Sequence, residues 1–219
     1  MAKSPTAPSL SLDDDGESLM DWLQANGRLV GMVVGGAVAV AAAVLLWRSS
    51  VNTKTTRAST ALSTAQLPFQ AGDYKSAETE LAKVSTRYAG TMAGAQAAML
   101  QGQALFEQGK FKEGVAALQA GMQAAPADAK ASFLQLLAVG AEGLNDWTAA
   151  AKHYADAVVA TSAGSEKALM QASQARALTK AGKPAEAMAI WRSLAADEAG
   201  PVVQEARVRI GELLAAGVK

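Results

Sequence analysis

The chain contains no cysteine and, in 219 residues, a single histidine, His153. The lack of cysteine excludes disulfides, thiolate nucleophiles and cysteine-ligated zinc or iron–sulfur centres. One histidine alone cannot supply a metal site or a nucleophile–base triad. Basic and acidic residues number twenty each, and zero net charge argues against a nucleic-acid partner. Motifs for phosphate loops, serine nucleophiles and paired catalytic carboxylates are also missing, so we expect no enzyme activity, no cofactor and no metal.

Aromatic residues are scarce as well, at 5%, although half of the residues are apolar. The apolar fraction is therefore mostly alanine, which is the strongest helix former and lets neighbouring helices approach closely. This composition favours closely packed helices.

The N-terminal region divides into two short segments. Residues 1–18 are rich in serine, proline and aspartate and show no apolar periodicity, which predicts a disordered acidic tail. Residues 19–28 include Leu19, Met20, Trp22 and Leu23, and they predict a short amphipathic helix at a membrane surface.

A run of nineteen uncharged residues, 29–47, lies between Arg28 and Arg48. As a helix it would be about 28 Å long, close to the hydrocarbon thickness of a bilayer. The alternatives are a buried core helix or a cleaved signal peptide. The run has no polar face, and it is longer than a signal h-region and starts late in the chain. We therefore predict a transmembrane helix over 29–48 and a linker over 49–57.

Small residues recur every fourth position along this segment, at Gly27, Gly31, Gly35, Ala39 and Ala43. Such a stripe allows membrane helices to associate closely, and it predicts a homo-oligomer or a partner helix. The alternative is that glycine and alanine are simply common in this chain. The flanking basic residues, two before the run and three after it, do not decide the orientation.

The rest of the chain repeats. Four turn residues, Gly72, Gly109, Asn145 and Gly182, are separated by 37, 36 and 37 positions. Glycine and asparagine tolerate the positive φ at which many helices end, so each marks the turn between two helices. Periods of this length with helical flanks are typical of an α-solenoid. Three of the four turns are followed after two residues by an aromatic side chain: Tyr74, Phe111 and Trp147.

Two columns of small residues keep a fixed distance from these turns. Ala65, Gly102, Ala138 and Ala175 precede the turn residues by seven positions, and Ala77, Gly114, Ala150 and Ala187 follow them by five. We expect the two helices of each pair to cross at these columns. The predicted fold is thus all-α: a tetrad of helix pairs over 58–219, closed by a capping helix at Pro201–Ala216 whose Val202, Ile210, Leu213 and Leu214 cover the last pair.

This pattern resembles the tetratricopeptide repeat, although the units are longer than usual and lack the early tryptophan. The layout as a whole resembles the membrane-anchored ancillary subunit of the bacterial SecYEG translocon, including the Asn26-Gly27-Arg28 entry and the Trp47-Arg48 exit. That resemblance implies an inner-membrane protein with a cytoplasmic N-terminus and periplasmic repeats. It also implies translocon subunits, a periplasmic chaperone and exported proteins as partners.

In a tetratricopeptide array the first helix of each pair lines a concave groove, and an i, i+3, i+7, i+10 spacing selects one helical face. The predicted groove residues are Gln96, Met99, Gln103, Phe106, Ser132, Gln135, Val139, Glu142, Leu169, Ala172, Arg176 and Thr179. Their mixture of apolar and amide groups suits an extended, moderately apolar peptide. The alternatives are a solvated surface without a ligand, or an assembly subunit of another membrane complex that uses the repeats as a docking platform.

Overall fold

The computed structural model describes residues 26–218, without the side chains of 29, 30, 33, 47 and 49–52. The predicted tail 1–18 and residues 19–25 of the predicted interfacial helix lie outside this range. Within it the chain forms ten α-helices, one 3₁₀ turn at Ala127–Ala129 and no strand. The helices are α1 (Gly27–Ala65), α2 (Leu67–Gln70), α3 (Tyr74–Arg87), α4 (Met92–Glu107), α5 (Phe111–Ala124), α6 (Lys130–Gly143), α7 (Trp147–Ala160), α8 (Gly164–Lys180), α9 (Pro184–Ala196) and α10 (Val203–Ala215).

The chain divides into two compact units, Met1–Thr53 and Lys54–Lys219. In the first unit, the large apolar side chains described along α1 are exposed, from Met32 at 71% to Leu46 at 72%. Among the residues that the structure describes, no helix has both the length and the apolarity needed to cross a membrane, so the predicted span over 29–48 gains no support from the structure.

Residues 49–57, which the sequence predicts as a linker, lie inside α1. Neither glycine nor proline occurs between Gly36 and Pro68, so nothing in this stretch interrupts helical hydrogen bonding. α1 ends at Ala65, and Pro68 then occupies the first turn of the short α2, where its missing N–H is harmless. The first helix of the first pair is therefore broken into two pieces, which the repeat pattern does not indicate.

The second unit is the predicted solenoid. The end of α1, together with α2, packs with α3; the following pairs are α4 with α5, α6 with α7 and α8 with α9. Consecutive helices contact one another throughout, and α10 packs on α9 as a terminal cap. The core lies between the helices and consists mainly of alanine, leucine and a few large residues such as Phe133 and Trp191.

All four predicted turn residues have a positive φ: 77° at Gly72, 75° at Gly109, 59° at Asn145 and 76° at Gly182. The hydrogen bonds around them have the Schellman pattern. At the second turn, Gly109 N donates to Phe106 O at 2.8 Å and Lys110 N donates to Leu105 O at 2.9 Å. The next helix is then capped where the sequence allows, as at Asp146, whose Oδ1 accepts from Ala149 N at 2.9 Å. The predicted turns are confirmed.

Every member of both small-residue columns is buried. At the second crossing, a Cβ added to Gly114 would lie 2.5 Å from the Phe106 ring and 3.0 Å from Gly102 O. One added to Gly102 would lie 2.6 Å from Leu118 Cγ. Contacts this short leave no room for a larger side chain. The helices of each pair therefore cross where the columns predict.

The cap differs in one detail from the prediction. Val202 and Leu213 are buried and Ile210 packs against the last core cluster, but Leu214 is 53% exposed. Leu213 and Leu214 are 100° apart around the helix, so only one of two adjacent leucines can face the solenoid.

Candidate protein-interaction surface

The first helices α4, α6 and α8 carry the predicted groove. Exposed side chains on them are Gln96, Ser132, Gln135, Val139, Leu169, Arg176 and Thr179, while Met99 and Gln103 are half-buried. α4 and α6 contact each other directly, so their exposed positions belong to neighbouring helices of one array. Two of these exposed side chains are aliphatic: Val139 at 39% and Leu169 at 53%. The surface offers amides, hydroxyls and isolated apolar groups to a ligand.

Two predicted groove residues belong to the interior instead. Phe106 stacks on Phe111 with ring centroids 5.5 Å apart, and its ring lies against the positions where Gly114 and Gly140 have no side chain. Ala172 is 1% exposed and lies in the core cluster of the last two pairs. Both follow the groove spacing along their own helices. Contacts with neighbouring helices bury them.

Glu142 and Arg176, also predicted for the groove, are held by neighbouring side chains. Burial, together with the charge and hydrogen bond of Glu142, raises the pKa of Tyr154 to about 12, so the Tyr154 hydroxyl stays protonated. Arg176 Nη1 donates to Glu205 Oε1 at 2.6 Å, and its Nη2 donates to Ser173 Oγ at 2.9 Å. These polar contacts connect α6, α7, α8 and α10, and they leave Arg176 already paired.

A surface that the sequence did not indicate lies beside α3, α4 and α5. It is a cleft of about 300 Å³, lined largely by alanine and glycine, with Ser85 and Gln101 as polar groups. Ser85 Oγ donates to Gln101 Oε1 at 3.3 Å. Its small lining residues are spread from 82 to 125 and have no motif of their own, so only the packing of the helices brings them together.

The lone histidine is not part of a metal site. His153 on α7 is half-buried, and burial together with the charge of Lys152 lowers its pKa, against the opposing charges of Asp156 and Asp146. Its Nδ1 is buried and has no hydrogen-bond partner in the structure. Over residues 26–218, no group of three or more metal-ligating side chains is assembled.

The N-terminal stripe lies on α1 in the first unit. A Cβ added at Gly27, Gly31 or Gly35 would meet nothing within 4 Å, and Ala39 and Ala43 are exposed. The crossing glycines Gly102 and Gly114 differ, because no side chain fits there. Intramolecular packing in the described residues does not require glycine at the stripe.

Comparison with known proteins agrees with this architecture. The family model described as a tetratricopeptide repeat-like domain matches residues 20–142, beginning ahead of the first helix pair and ending in the third. No curated protein matches the chain.

Two crystal structures of a kinesin-light-chain protein from Podosopora anserina, with nearly identical TPR-like repeats, share the fold. Each has a TM-score of 0.61 and 16% identity over 74% of this chain, covering 88% of the original protein's chain and 87% of its point variant's. The match of the family model to more than half of the residues, together with the four helix pairs and their turns, shows that this chain belongs to the tetratricopeptide repeat-like domain family.

Proposed function

We propose that the chain is a non-enzymatic, membrane-anchored protein-interaction module. More specifically, we propose an ancillary subunit of the bacterial Sec translocon that assists exported proteins together with periplasmic chaperones. One observation carries the proposal: the uncharged run 29–47 stands directly ahead of a TPR-like solenoid, and α1 extends from that run into the first helix pair. The family model spans the same junction, since it starts at residue 20.

The solenoid supports the interaction role. Stacked helix pairs expose an extended surface, and such repeat proteins use that surface to bind other proteins. The exposed groove positions Gln96, Gln135, Val139 and Leu169 combine amides with aliphatic groups. Amides can hydrogen-bond to a peptide backbone while the aliphatic groups contact its apolar side chains. This chemistry suits extended segments of unfolded polypeptides better than acidic peptides.

Crosslinking tests the role directly. A photo-reactive residue placed at Gln135 or Val139 reports on the groove, and one at Val159, which is 86% exposed on the second helix α7, is the matched control. We expect crosslinks from Val139 to translocon subunits and to exported chains in transit, lost when export is blocked. A single folded membrane partner, captured whether or not export proceeds, would support the assembly-subunit alternative. Crosslinks from Val159 alone would contradict the groove.

Membrane anchoring rests on the sequence, because a run of 18 or more uncharged apolar residues is the length that a spanning helix needs. We propose that 29–48 is this anchor, with the N-terminus in the cytoplasm and the repeats in the periplasm. Alkaline carbonate should leave the full chain in the membrane pellet, and alkaline phosphatase fused after Lys219 should be active. A carbonate-soluble chain would contradict the anchor, and an inactive fusion that is still membrane-bound would contradict the orientation alone.

The stripe favours a second contact within the membrane. Glycine in a helix costs about 1 kcal/mol relative to alanine, and no intramolecular contact in the described residues requires Gly31 or Gly35. We propose that these positions receive a partner helix or a second copy of α1. Gly31→Leu with Gly35→Leu should reduce co-purification of the partner while the repeats keep their melting temperature. Val34→Leu, on another face of α1, is the control, and equal co-purification of both variants would remove the stripe from the proposal.

A further inference from the structure

A second cleft, of about 180 Å³, lies between α8, α9 and α10. One turn of α8 and one turn of α10 face each other across it, and each offers side chains at i, i+3 and i+4. α8 supplies Arg176, Thr179 and Lys180, α10 supplies Arg209, Glu212 and Leu213, and α9 supplies Trp191. Trp191 and Leu213 are almost fully buried, so the base of the cleft is apolar and its walls are charged.

The charges around this cleft do not balance. Glu205 Oε1 lies 2.6 Å from Arg176 Nη1 and 3.8 Å from Arg209 Nε. Glu212 Oε2 accepts from Arg209 Nη1 at 2.8 Å. Lys180 forms no ion pair with any residue between 26 and 218, and its Nζ lies 4.0 Å from the centre of the Trp147 ring. Three cations against two carboxylates leave one positive charge in excess.

Hydrogen-bond donors are also left over. Arg209 Nε is buried without a hydrogen-bond partner, because 3.8 Å to Glu205 is too long for a hydrogen bond. The Lys180 ammonium has three donors, and the Trp147 ring is its described partner. A ligand that complements the cleft therefore carries one negative charge and at least two acceptor atoms.

We propose that this cleft binds a peptide carboxylate, and that Glu212 occupies part of the site when no ligand is bound. A carboxylate has one charge and two acceptor oxygens, and a guanidinium binds such a group through two parallel hydrogen bonds. The ligand accepts from Arg209 and Lys180, and Glu212 moves into solvent, where its side chain is already half exposed. An adjacent aliphatic side chain of the peptide contacts the rim of Leu213. The choice of a peptide rests on the interaction role proposed above.

The carboxylate can come from a chain terminus or from an acidic side chain, and three peptides distinguish these sources. The probes are acetyl-Gly-Ser-Ala-Leu with a free carboxyl end, the same peptide amidated, and an amidated version with Glu in place of Ala. Each is titrated into the full chain in a non-ionic detergent by calorimetry. We expect one or both carboxylate peptides to bind and the neutral amide not to bind. Equal binding of all three peptides, or no binding of any, would overturn the proposal.

Variants test the role of each wall. Because a hydrogen bond to a charged group is typically stronger than a neutral one, Arg209→Gln should weaken carboxylate binding by about tenfold or more. Lys180→Ala, at an exposed position, should weaken it without affecting folding. Glu212→Gln should tighten binding several-fold, because the competing charge is gone. Arg207→Gln, exposed on the same helix and outside the cleft, is the matched control.

Two results would contradict the self-occupied site: a Glu212→Gln variant that binds no tighter, or an Arg207→Gln variant that loses as much affinity as Arg209→Gln. The proposed function has a separate readout. Failed titrations with intact crosslinks from Val139 would remove the cleft alone, whereas carboxylate binding without those crosslinks would remove the groove and leave the cleft.

Discussion

Individual glycines in this chain have opposite effects depending on what surrounds them. Gly114 faces the Phe106 ring and a backbone oxygen of Gly102, and the oxygen cannot move aside. Gly211 lies inside α10, and a Cβ there would meet nothing within 4 Å. The same substitution should therefore change stability in opposite directions at the two positions.

Gly114→Ala should lower the free energy of unfolding by about 1–3 kcal/mol through overpacking, even though alanine is the better helix former. Gly211→Ala should raise it by about 0.5–1 kcal/mol, since it removes backbone freedom from the unfolded chain without a clash. Urea denaturation of both variants measures the difference. A stabilised Gly114→Ala variant would mean that the helices do not cross there.

Asn145 is the one turn residue of the four that has a side chain, and its φ is 59°. Because an L-residue in this region costs about 1–2 kcal/mol, Asn145→Ala should lower the free energy of unfolding by about 1 kcal/mol. Asn145→Gly should leave it nearly unchanged or raise it slightly. Thermal melting of the two variants side by side checks the turn, and equal losses would point to a lost asparagine contact instead.

His153 makes stability depend on pH. Its folded pKa lies below the ordinary value of 6.5, chiefly because burial disfavours the charged ring. The unfolded chain therefore binds more protons as the pH falls through 6.5, and stability falls with it. His153→Gln should reduce the loss of melting temperature between about pH 7.5 and pH 5.5. An unchanged loss would assign the pH dependence to other groups.

At the scale of the elements, α10 shows how packing selects one face of a helix. Its buried residues include Val203, Ala206 and Leu213, which face α9 and the last core cluster, whereas Val208 and Leu214 face outward. A solenoid needs such a terminal helix, because the last pair would otherwise expose its apolar side.

Two adjacent leucines provide a matched test of this packing. Leu213→Ala removes a buried side chain and should lower the free energy of unfolding by about 2–5 kcal/mol. Leu214→Ala, at an exposed position, should change it by no more than about 0.5 kcal/mol. Denaturant melts of the full chain measure both values. Similar effects from the two substitutions would mean that α10 does not cap the array as described.

The elements that the sequence predicted are those set by local chemistry. Gly72 and Gly182 mark turns because few other residues adopt a positive φ, and Ala138 and Ala150 mark a crossing because both keep register with the turn. The continuity of α1 through 49–57 and the inward packing of Phe106 were missed. The first depends on the absence of a helix breaker, and the second on glycines of neighbouring helices that create space for the ring.

At the scale of the whole molecule, the candidate sites were harder to predict than the fold. The groove residues were chosen from the spacing within single helices, which identifies a face but not what a neighbouring helix covers. The α8–α10 cleft joins residues 176 to 213 across three helices, and the sequence pattern gives no signal for it. Long-range ion pairs such as Arg176 with Glu205 arise only when the cap docks.

The lack of cysteine permits a direct test of the central claim, that stacked helix pairs cross at small residues. Ala138 and Ala150 hold the same positions in the third pair as Gly102 and Gly114 in the second, and both are fully buried. Replacing both by cysteine should give an intramolecular disulfide under mild oxidation, since such bonds need Cα atoms within about 7 Å. The control pair is Ala138→Cys with Ala157→Cys, about two helical turns farther along α7. Near-complete crosslinking of the first pair and none of the second is the predicted result; the reverse, or no crosslink in the first pair, would contradict the architecture.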